Sequence, residues 1–292
     1  MTGRYELSEH SWSLIKDIVS PLQEMGRPRR DDRQVLNGIF WVLCSGAKWR
    51  DLPERYGPWN TAYARFRQWR DDGTFDAVLA RLQLKLREDG LMDLDTWMID
   101  STAVRATRAA SGGGKKGGSD EPVDHALGRS RGGLTTKIHL VCDRHGWPLA
   151  FTLPPGQDAD SRHFIPTMET IRLPGNVGRP RKRCRYVVAD KGYDSDELRR
   201  YCDRRRMMPV IAQRKMRRKP RPGLPRGFGK PKYRERNVIE RGFGWLKALR
   251  RIGTRYDKLA RSFHAMVCLA CIDCCLRADF SYKTLCLSGL VD

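Results

Sequence analysis

The stretch DTWMIDSTAV, residues 95 to 104, decides how the rest of the chain is read. Upstream, between residues 8 and 90, apolar residues recur at helical spacing, as in SWSLIKDIV, RQVLNGIFWVLCSG and FDAVLARLQLKL. After residue 93 that period is lost, and Trp97, Met98 and Ile99 form a short apolar run that stops at Asp100. This is the pattern of a buried strand ending in a carboxylate. The same pattern returns in RYVVADKGYDS, residues 185 to 195, where the apolar run stops at Asp190. A buried strand does not carry an unpaired charge cheaply, so such a carboxylate belongs at the sheet's edge, near a cation. In open α/β sheets, ligands gather at the carboxyl ends of the strands. If the two strands are neighbours, Asp100 and Asp190 come together.

The intervening sequence supplies the rest of a sheet. LTTKIHLVCDRHGWPLAFTLPPG reads as two strands joined by a tight turn at Arg144 to Gly146. DSRHFIPTMETIRL follows as a helix with Asp160 or Ser161 as its cap, then SDELRRYCDRR as a helix and MMPVIAQ as a strand. The order β-β-β-α-β-α-β-α predicts an α/β fold, a mixed sheet with helices against it. Residues 105–133 form a Gly-rich basic loop expected to be mobile, and a second basic loop covers 214–232.

YRERNVIERGFGWLK, residues 233 to 247, spaces Tyr233, Arg236, Glu240 and Lys247 at offsets of three, four and seven. At about 100° per residue on one helix they share a sector of roughly 60°. Val238, Ile239, Leu246 and Leu249 fall on the opposite, core-facing side. A solvated face with ordinary charge pairs accounts for this pattern. So does a third carboxylate, Glu240, delivered to Asp100 and Asp190. Three carboxylates at one point repel unless a cation joins them, and hard oxygen ligands favour Mg²⁺ or Mn²⁺. Two such ions, about 4 Å apart, serve in-line phosphoryl displacement. Beside them Arg236 and Lys247 would hold phosphates, and Tyr233 would hydrogen-bond or stack.

In the N-terminal region, residues 36 to 73 read as a helix, a short amphipathic segment, a Gly-Pro turn and a second helix capped by Asn60 or Thr61. The second helix directs Tyr63, Phe66 and Trp69 inward and exposes Arg65, Arg67 and Arg70. This fits a helix-turn-helix at about residues 33–72 whose second helix meets a major groove, and also fits a plain helical bundle. Lys and Arg number 56 against 34 Asp and Glu, so the formal charge is +22. An excess of that size favours polyanionic partners, double-stranded DNA above an anionic membrane surface. No apolar run is long enough to span a bilayer. Nine cysteines without an export signal suggest reduced thiols in the cytoplasm. CLACIDCCLR reads as a packed helix, and no zinc is expected there. GRPRR (26 to 30) and GRPRKR (178 to 183) are short basic turns suited to phosphate contact.

YRERNVIERGFGWLK fits Y-x2-R-x3-E-x6-K, and by it the chain resembles the bacterial insertion-sequence transposases of the DDE class. MIDSTAV and VVADKGYDS look like the first and second Asp motifs of that class. GRSRGGLTTKIHLVCDRHGWPLAFTLPPGQDADS resembles its intervening hairpin, and GRPRRDDRQVLNGIFWVLCSGAKWRDLPERYGPWNTAYARFRQW its N-terminal DNA-binding region. The nearest branch is the "insertion sequence five" family, and the resemblance covers most of residues 5 to 277.

The resemblance implies a ribonuclease-H-like catalytic domain at 93–280, preceded by an all-α DNA-binding domain at 1–92 and followed by a tail at 281–292. Asp100, Asp190 and Glu240 would be the catalytic triad and the ligands of two Mg²⁺ ions, with Mn²⁺ able to substitute. Tyr233, Arg236 and Lys247 carry over as auxiliary residues. DNA contacts would fall to Arg65, Arg67, Arg70, Arg129, Arg131, Lys191, Arg236 and Lys247. The implied activity is binding of terminal inverted repeats, strand cleavage and transfer of the 3′-hydroxyl ends to target DNA, in a cytoplasmic, nucleoid-associated protein. Joining two ends suits a homodimer on DNA. A catalytically silent DNA-binding descendant and a metal-dependent nuclease are the alternatives.

Overall fold

The computed structural model describes residues 5–22, 29–112, 125–130, 132–175, 177–213 and 229–277. Two compact units divide the chain, one of Met1–Leu86, Arg105–His125 and Trp245–Asp292, the other of Arg87–Val104 and Ala126–Gly244. Arg131, Gly26 to Pro28, most of the basic loop 214–232 and the tail 281–292 lie outside the described residues.

The first unit opens with α1 (Glu9–Ser13), α2 (Lys16–Val19), α3 (Asp32–Ser45), α4 (Trp59–Asp71) and α5 (Thr74–Glu88). Asp31 caps α3 by accepting from the Arg33 amide, and the helix buries Val35, Leu36, Ile39, Phe40, Val42 and Leu43. It ends at Gly46, whose φ of +68° is left-handed and whose added Cβ would stand 2.8 Å from the Arg250 Cβ. Helix α4 buries Ala62, Phe66 and Trp69, one helical stripe. Its expected side-chain cap is absent. Pro58 occupies the cap position with no side-chain bond, and Asn60 Oδ1 accepts from the adjacent Thr61 amide at 2.8 Å. Proline presets the entry angle of the chain, so the turn Gly57–Pro58 starts the helix without a cap.

The second unit is built on β1 (Thr96–Ala106), β2 (Gly128–Ser130), β3 (Gly133–Asp143), β4 (Pro148–Thr152), β5 (Tyr186–Ala189) and β6 (Met208–Ile211). Its strand order is β2-β3-β1-β5-β6, with β4 also on β3. Strands β1, β5 and β6 run parallel, and the β3–β4 hairpin is antiparallel. Trp97, Met98, Ile99, Val187, Val188 and Ala189 are all fully buried, which is why both strands read as unbroken apolar runs. Helices α6 (Asp160–Thr170), α7 (Asp196–Arg204), α8 (Lys230–Arg234) and α9 (Asn237–Ala248) accompany this sheet, and from Trp245 onward α9 is counted with the first unit. The short β2 was not anticipated, and the single helix expected over 233–247 is two.

The first unit closes with α10 (Arg250–Gly253), β7 (Thr254–Arg255) and α11 (Ala260–Leu276). Strand β7 pairs in parallel with Arg105 and Ala106. Helix α11 is apolar nearly all round, as its cysteine-rich sequence suggested. Cys268, Cys271 and Cys275 are buried, and burial pushes the Cys271 thiol up to about 12. Among the described residues no helix is long and apolar enough to cross a membrane.

Two buried polar residues hold the hairpin and the sheet face behind it. The Asp143 side chain is fully buried, one oxygen accepting from the amides of His145 (2.9 Å) and Trp147 (2.8 Å), the other from Asp93 (2.7 Å). This pins the turn at Gly146, whose φ of +94° requires glycine or strain. His139 is fully buried, its Nδ1 3.2 Å from the Tyr193 hydroxyl and its Nε2 3.6 Å from an Asp160 oxygen. Burial lowers its pKa to about 4, against the pull of Asp160 and Asp158 and with the help of His163 and Lys137.

Replacing Asp143 with Ala is expected to cost about 3 kcal/mol in urea denaturation, because three amides lose their acceptor. Asp143→Asn keeps one acceptor oxygen and is expected to cost less; an equal cost would show that the charge itself matters. For His139 the unfolded chain takes a proton near 6.5 while the folded one resists until about 4, so stability falls as pH drops through that window. The His139→Gln protein is expected to lose that slope, read as Tm against pH. A slope unchanged from wild type would mean that His139 protonates in the folded state.

Candidate active site

The last register pair between β1 and β5 is Ile99 with Ala189, so Asp100 and Asp190 follow side by side, Asp190 just past the end of β5 and Asp100 midway along β1, which was expected to stop there and instead runs on to Ala106. Each carboxylate is held by its own chain. Asp100 accepts from the Ser101 amide at 2.8 Å. Asp190 caps the turn Lys191–Tyr193 and accepts from the Gly192 amide at 2.7 Å. A Cβ on Gly192 would stand 2.7 Å from the same carboxylate oxygen, so glycine is required for this hold. Glu240 lies in the first turn of α9 with its side chain half exposed. Asp100 feels the charges of the other two. Burial pushes the Asp100 carboxyl up to about 6, the charges of Asp190 and Glu240 adding to it, the Ser101 amide and Arg236 opposing.

Arg236 sits in the two-residue break between α8 and α9, where Arg236 N–H reaches the Tyr233 carbonyl and Ile239 N–H reaches the Arg236 carbonyl, both at 3.1 Å. These bonds span three residues and interrupt the helix expected there. From the break its guanidinium forks. Nη1 donates to Asp100 at 2.7 Å, and Nη2 donates to Glu240. Tyr233 lies with its ring centroid 5.9 Å from the same guanidinium. Arg236 therefore stands between two carboxylates that the sequence assigned to a metal. Among the described residues, no three His, Cys, Asp or Glu side chains converge closely enough to hold one ion as they stand. Lys247 lies exposed in the last turn of α9, on the part counted with the first unit. Lys232 anchors α8, donating to Thr96 at 3.0 Å with its ammonium 4.4 Å from the Tyr186 ring centroid.

Behind the two aspartates lies a network the sequence reading missed. Asp160 was expected to cap α6, but Ala159 takes the cap position with no side-chain bond. Asp160 instead accepts from Lys137 at 2.7 Å and from Ser101 at 2.8 Å. Those bonds outweigh the cost of its burial and keep its carboxyl below the usual range. The network thus touches the residue after Asp100, and through His139 and Tyr193 the turn after Asp190. One signal was available. Lys137 and His139 alternate on one face of an otherwise apolar strand, and such charges need a partner.

The expected DNA-contacting arginines separate. Arg65 does not face outward freely. Its side chain is 16% exposed and its Nε lies 3.2 Å from buried Asp32. Arg70 is 4% exposed, bonded to Asp71 and to Ser262. Their long stems fold back over the apolar stripe and carry the charge to partners in the same unit. Arg67 is exposed, as are Arg129 on β2 and Lys191 in the turn after Asp190. Trp59 and Tyr63, 38% and 36% exposed, precede Arg67 by two turns and one turn respectively, and Arg50 lies over the Trp59 ring.

Comparisons with known proteins show the family. Residues 7–79 match a family described as putative transposase of IS4/5 family, and residues 93–273 match the transposase DDE domain. A putative transposase for insertion sequence element IS402 from Burkholderia cepacia is 36% identical over 151 residues, 50% of this chain and 67% of that one. A putative transposase for insertion sequence element IS6501 from Brucella ovis is 33% identical over 138 residues, 47% of this chain and 95% of that one. The Mos1 strand transfer complex overlaps 88% of this chain and 81% of its own at 12% identity, with a TM-score of 0.29 that carries no argument. The mixed sheet with its flanking helices is the ribonuclease-H-like fold expected of a DDE domain. The chain belongs to the DDE transposases of insertion sequences.

Proposed function

We propose that this transposase binds the double-stranded ends of its element, cuts them and joins the liberated 3′-hydroxyl ends to target DNA, with Asp100, Asp190 and Glu240 as the catalytic carboxylates. The observation that carries this reading is the register of β1 and β5, which sets Asp100 beside Asp190. Glu240 belongs to the same electrostatic group, since its charge acts on Asp100. The donor set is all carboxylate oxygen, which suits Mg²⁺ or Mn²⁺. Two such ions, when bound, supply Lewis acidity for in-line displacement at phosphorus.

The chain's own residues do the positioning. Ser101 and Gly192 fix the directions of Asp100 and Asp190, while Glu240, half exposed on α9, is free to adjust. Tyr233, Arg236, Lys191 and Lys247 are assigned to phosphates near the reacting strand. Residues 1–92 act as the DNA-binding domain and 93–280 as the catalytic domain. Arg67 takes over the contacts first given to Arg65 and Arg70, Arg129 is assigned to DNA with it, and the assignment of Arg131 rests on the sequence alone. A homodimer on DNA in the cytoplasm completes the reading.

The test uses a duplex carrying the sequences that flank the coding frame, incubated with the full chain in Mg²⁺ or EDTA. Cut ends joined to a second DNA are expected in Mg²⁺ alone. The Glu240→Gln protein should lose product by ~1,000-fold or more while binding the duplex at least as well. Cutting without joined product would make this a nuclease, and binding without cutting a silent DNA-binding protein. Arg67→Ala should weaken binding and lower the salt slope by about one. Arg65→Ala should instead destabilise the fold by about 3 kcal/mol, because buried Asp32 loses its cation. Equal effects of the two on binding, with no change in Tm, would return Arg65 to the DNA.

A further inference from the structure

We propose that Arg236 is a partner-exchanging residue, which bridges Asp100 and Glu240 in the free protein and leaves them for a DNA phosphate, so that the carboxylate centre accepts divalent ions well only when DNA is bound. The proposal rests on the assignment of these carboxylates to metal binding and deepens it. Three features of the protein support it.

First, the guanidinium bonds both carboxylates at once, through Nη1 to Asp100 and Nη2 to Glu240. A guanidinium fork presents two parallel donors to oxygen anions, and a phosphate offers it the same geometry as a carboxylate pair. Asp100 and Glu240 cannot give the same oxygens to a dication while they hold this cation. Second, Arg236 lies in the break between α8 and α9 rather than inside a helix. The side chain starts from a short irregular joint, and its own side chain is 21% exposed, so it has a path to solvent and to an approaching strand. Third, the two bonds are unequal. Asp100 is 17% exposed, and Glu240 is 49% exposed and only an i,i+4 partner. Exposed i,i+4 pairs are weak and screened by salt, so the Glu240 side opens readily.

The consequence is linkage. A ligand that draws Arg236 away raises the affinity of the carboxylates for ions, and ion binding raises the affinity of Arg236 for phosphate by the same factor. A free transposase then holds its ions poorly, and the centre assembles on DNA.

The experiment titrates Mn²⁺ into the full chain, with free Mn²⁺ read by electron paramagnetic resonance. It compares wild type, Arg236→Gln and Arg236→Lys, each alone and with a duplex of arbitrary sequence, after subtraction of Mn²⁺ held by the duplex itself. Circular dichroism melts check that all three proteins are folded. Wild type is expected to bind Mn²⁺ weakly alone and on the order of 10-fold more tightly with the duplex. Arg236→Gln is expected to bind tightly without DNA and gain little from it. Arg236→Lys keeps the charge but has no fork, and is expected to follow Arg236→Gln.

Wild-type behaviour in Arg236→Lys would overturn the proposal, because charge alone would then explain the effect. Equal Mn²⁺ affinity in all three proteins would overturn it while leaving the metal assignment intact. Absence of Mn²⁺ binding in every protein, with or without duplex, would overturn the proposal together with the metal-dependent reading.

Discussion

Two carboxylates side by side along neighbouring parallel strands, Asp100 and Asp190, are the constraint around which the second unit is organised. Strand spacing is about 5 Å, and at an effective dielectric near 20 two unit charges at that distance repel by about 3 kcal/mol. The register that aligns Ile99 with Ala189 makes this repulsion unavoidable. It could have been relieved by slipping one strand, but moving β1 by one residue would turn Trp97 and Ile99, both fully buried, to the opposite face of the sheet. Packing therefore wins over electrostatics, and the charge is handled locally. Burial and the neighbouring carboxylates leave Asp100 easier to protonate, and Arg236 supplies the missing positive charge.

The surroundings divide into a stiff part and an adjustable part. On the stiff side, Ser101 and Gly192 orient the two aspartates through backbone amides, and Lys137 and Asp160 neutralise one another behind them. His139 stays neutral because it is buried, so it packs beside Tyr193 without adding a charge to the cluster. On the adjustable side, Arg236 lies in the broken turn itself and Glu240 in the first turn of the helix that follows it. In the proposed reading, two ligands stand on strands of the sheet and the third on a helix that follows a broken turn. The absence of a converged three-ligand group among the described residues follows from that division, since the third carboxylate is turned to an arginine.

Much of this was legible in the sequence because local signals and tertiary structure agreed. Apolar runs ending at Asp100 and Asp190 are dictated by burial, and burial is what the sheet supplies. Ile239, Leu246 and Leu249 are buried as their spacing indicated. What failed depended on partners distant in sequence. Asp160 has the right chemistry for a helix cap, but Lys137 and Ser101 compete for the same oxygens and win. The helix over 233–247 has no local breaker, and its interruption coincides with Arg236 reaching back to Asp100, 136 residues away. A helical wheel placed Arg65 and Arg70 outside by the direction of Cβ, yet the side chain is long enough to return its charge to Asp32 or Ser262.

The fate of those arginines changes what the net charge means. A formal charge of +22 suggests a broad basic surface, but several arginines are consumed inside the units. Arg255 is fully buried and donates to the carbonyls of Asp257, His125 and Lys258. Arg251 pairs with buried Asp257, and Arg199 pairs with Asp194 and the Ile211 carbonyl. A guanidinium has five donors and cannot be neutralised by losing a proton, so it can tie several carbonyls together at chain ends and crossings. Arginine in this chain thus serves two purposes that composition alone cannot separate. The arginines that hold carbonyls and carboxylates inside a unit add to the long-range field but cannot touch a phosphate. Those left exposed, such as Arg67 and Arg129, can do both. Arg236 belongs to neither class, because its present partners are the carboxylates that the proposed chemistry would need released.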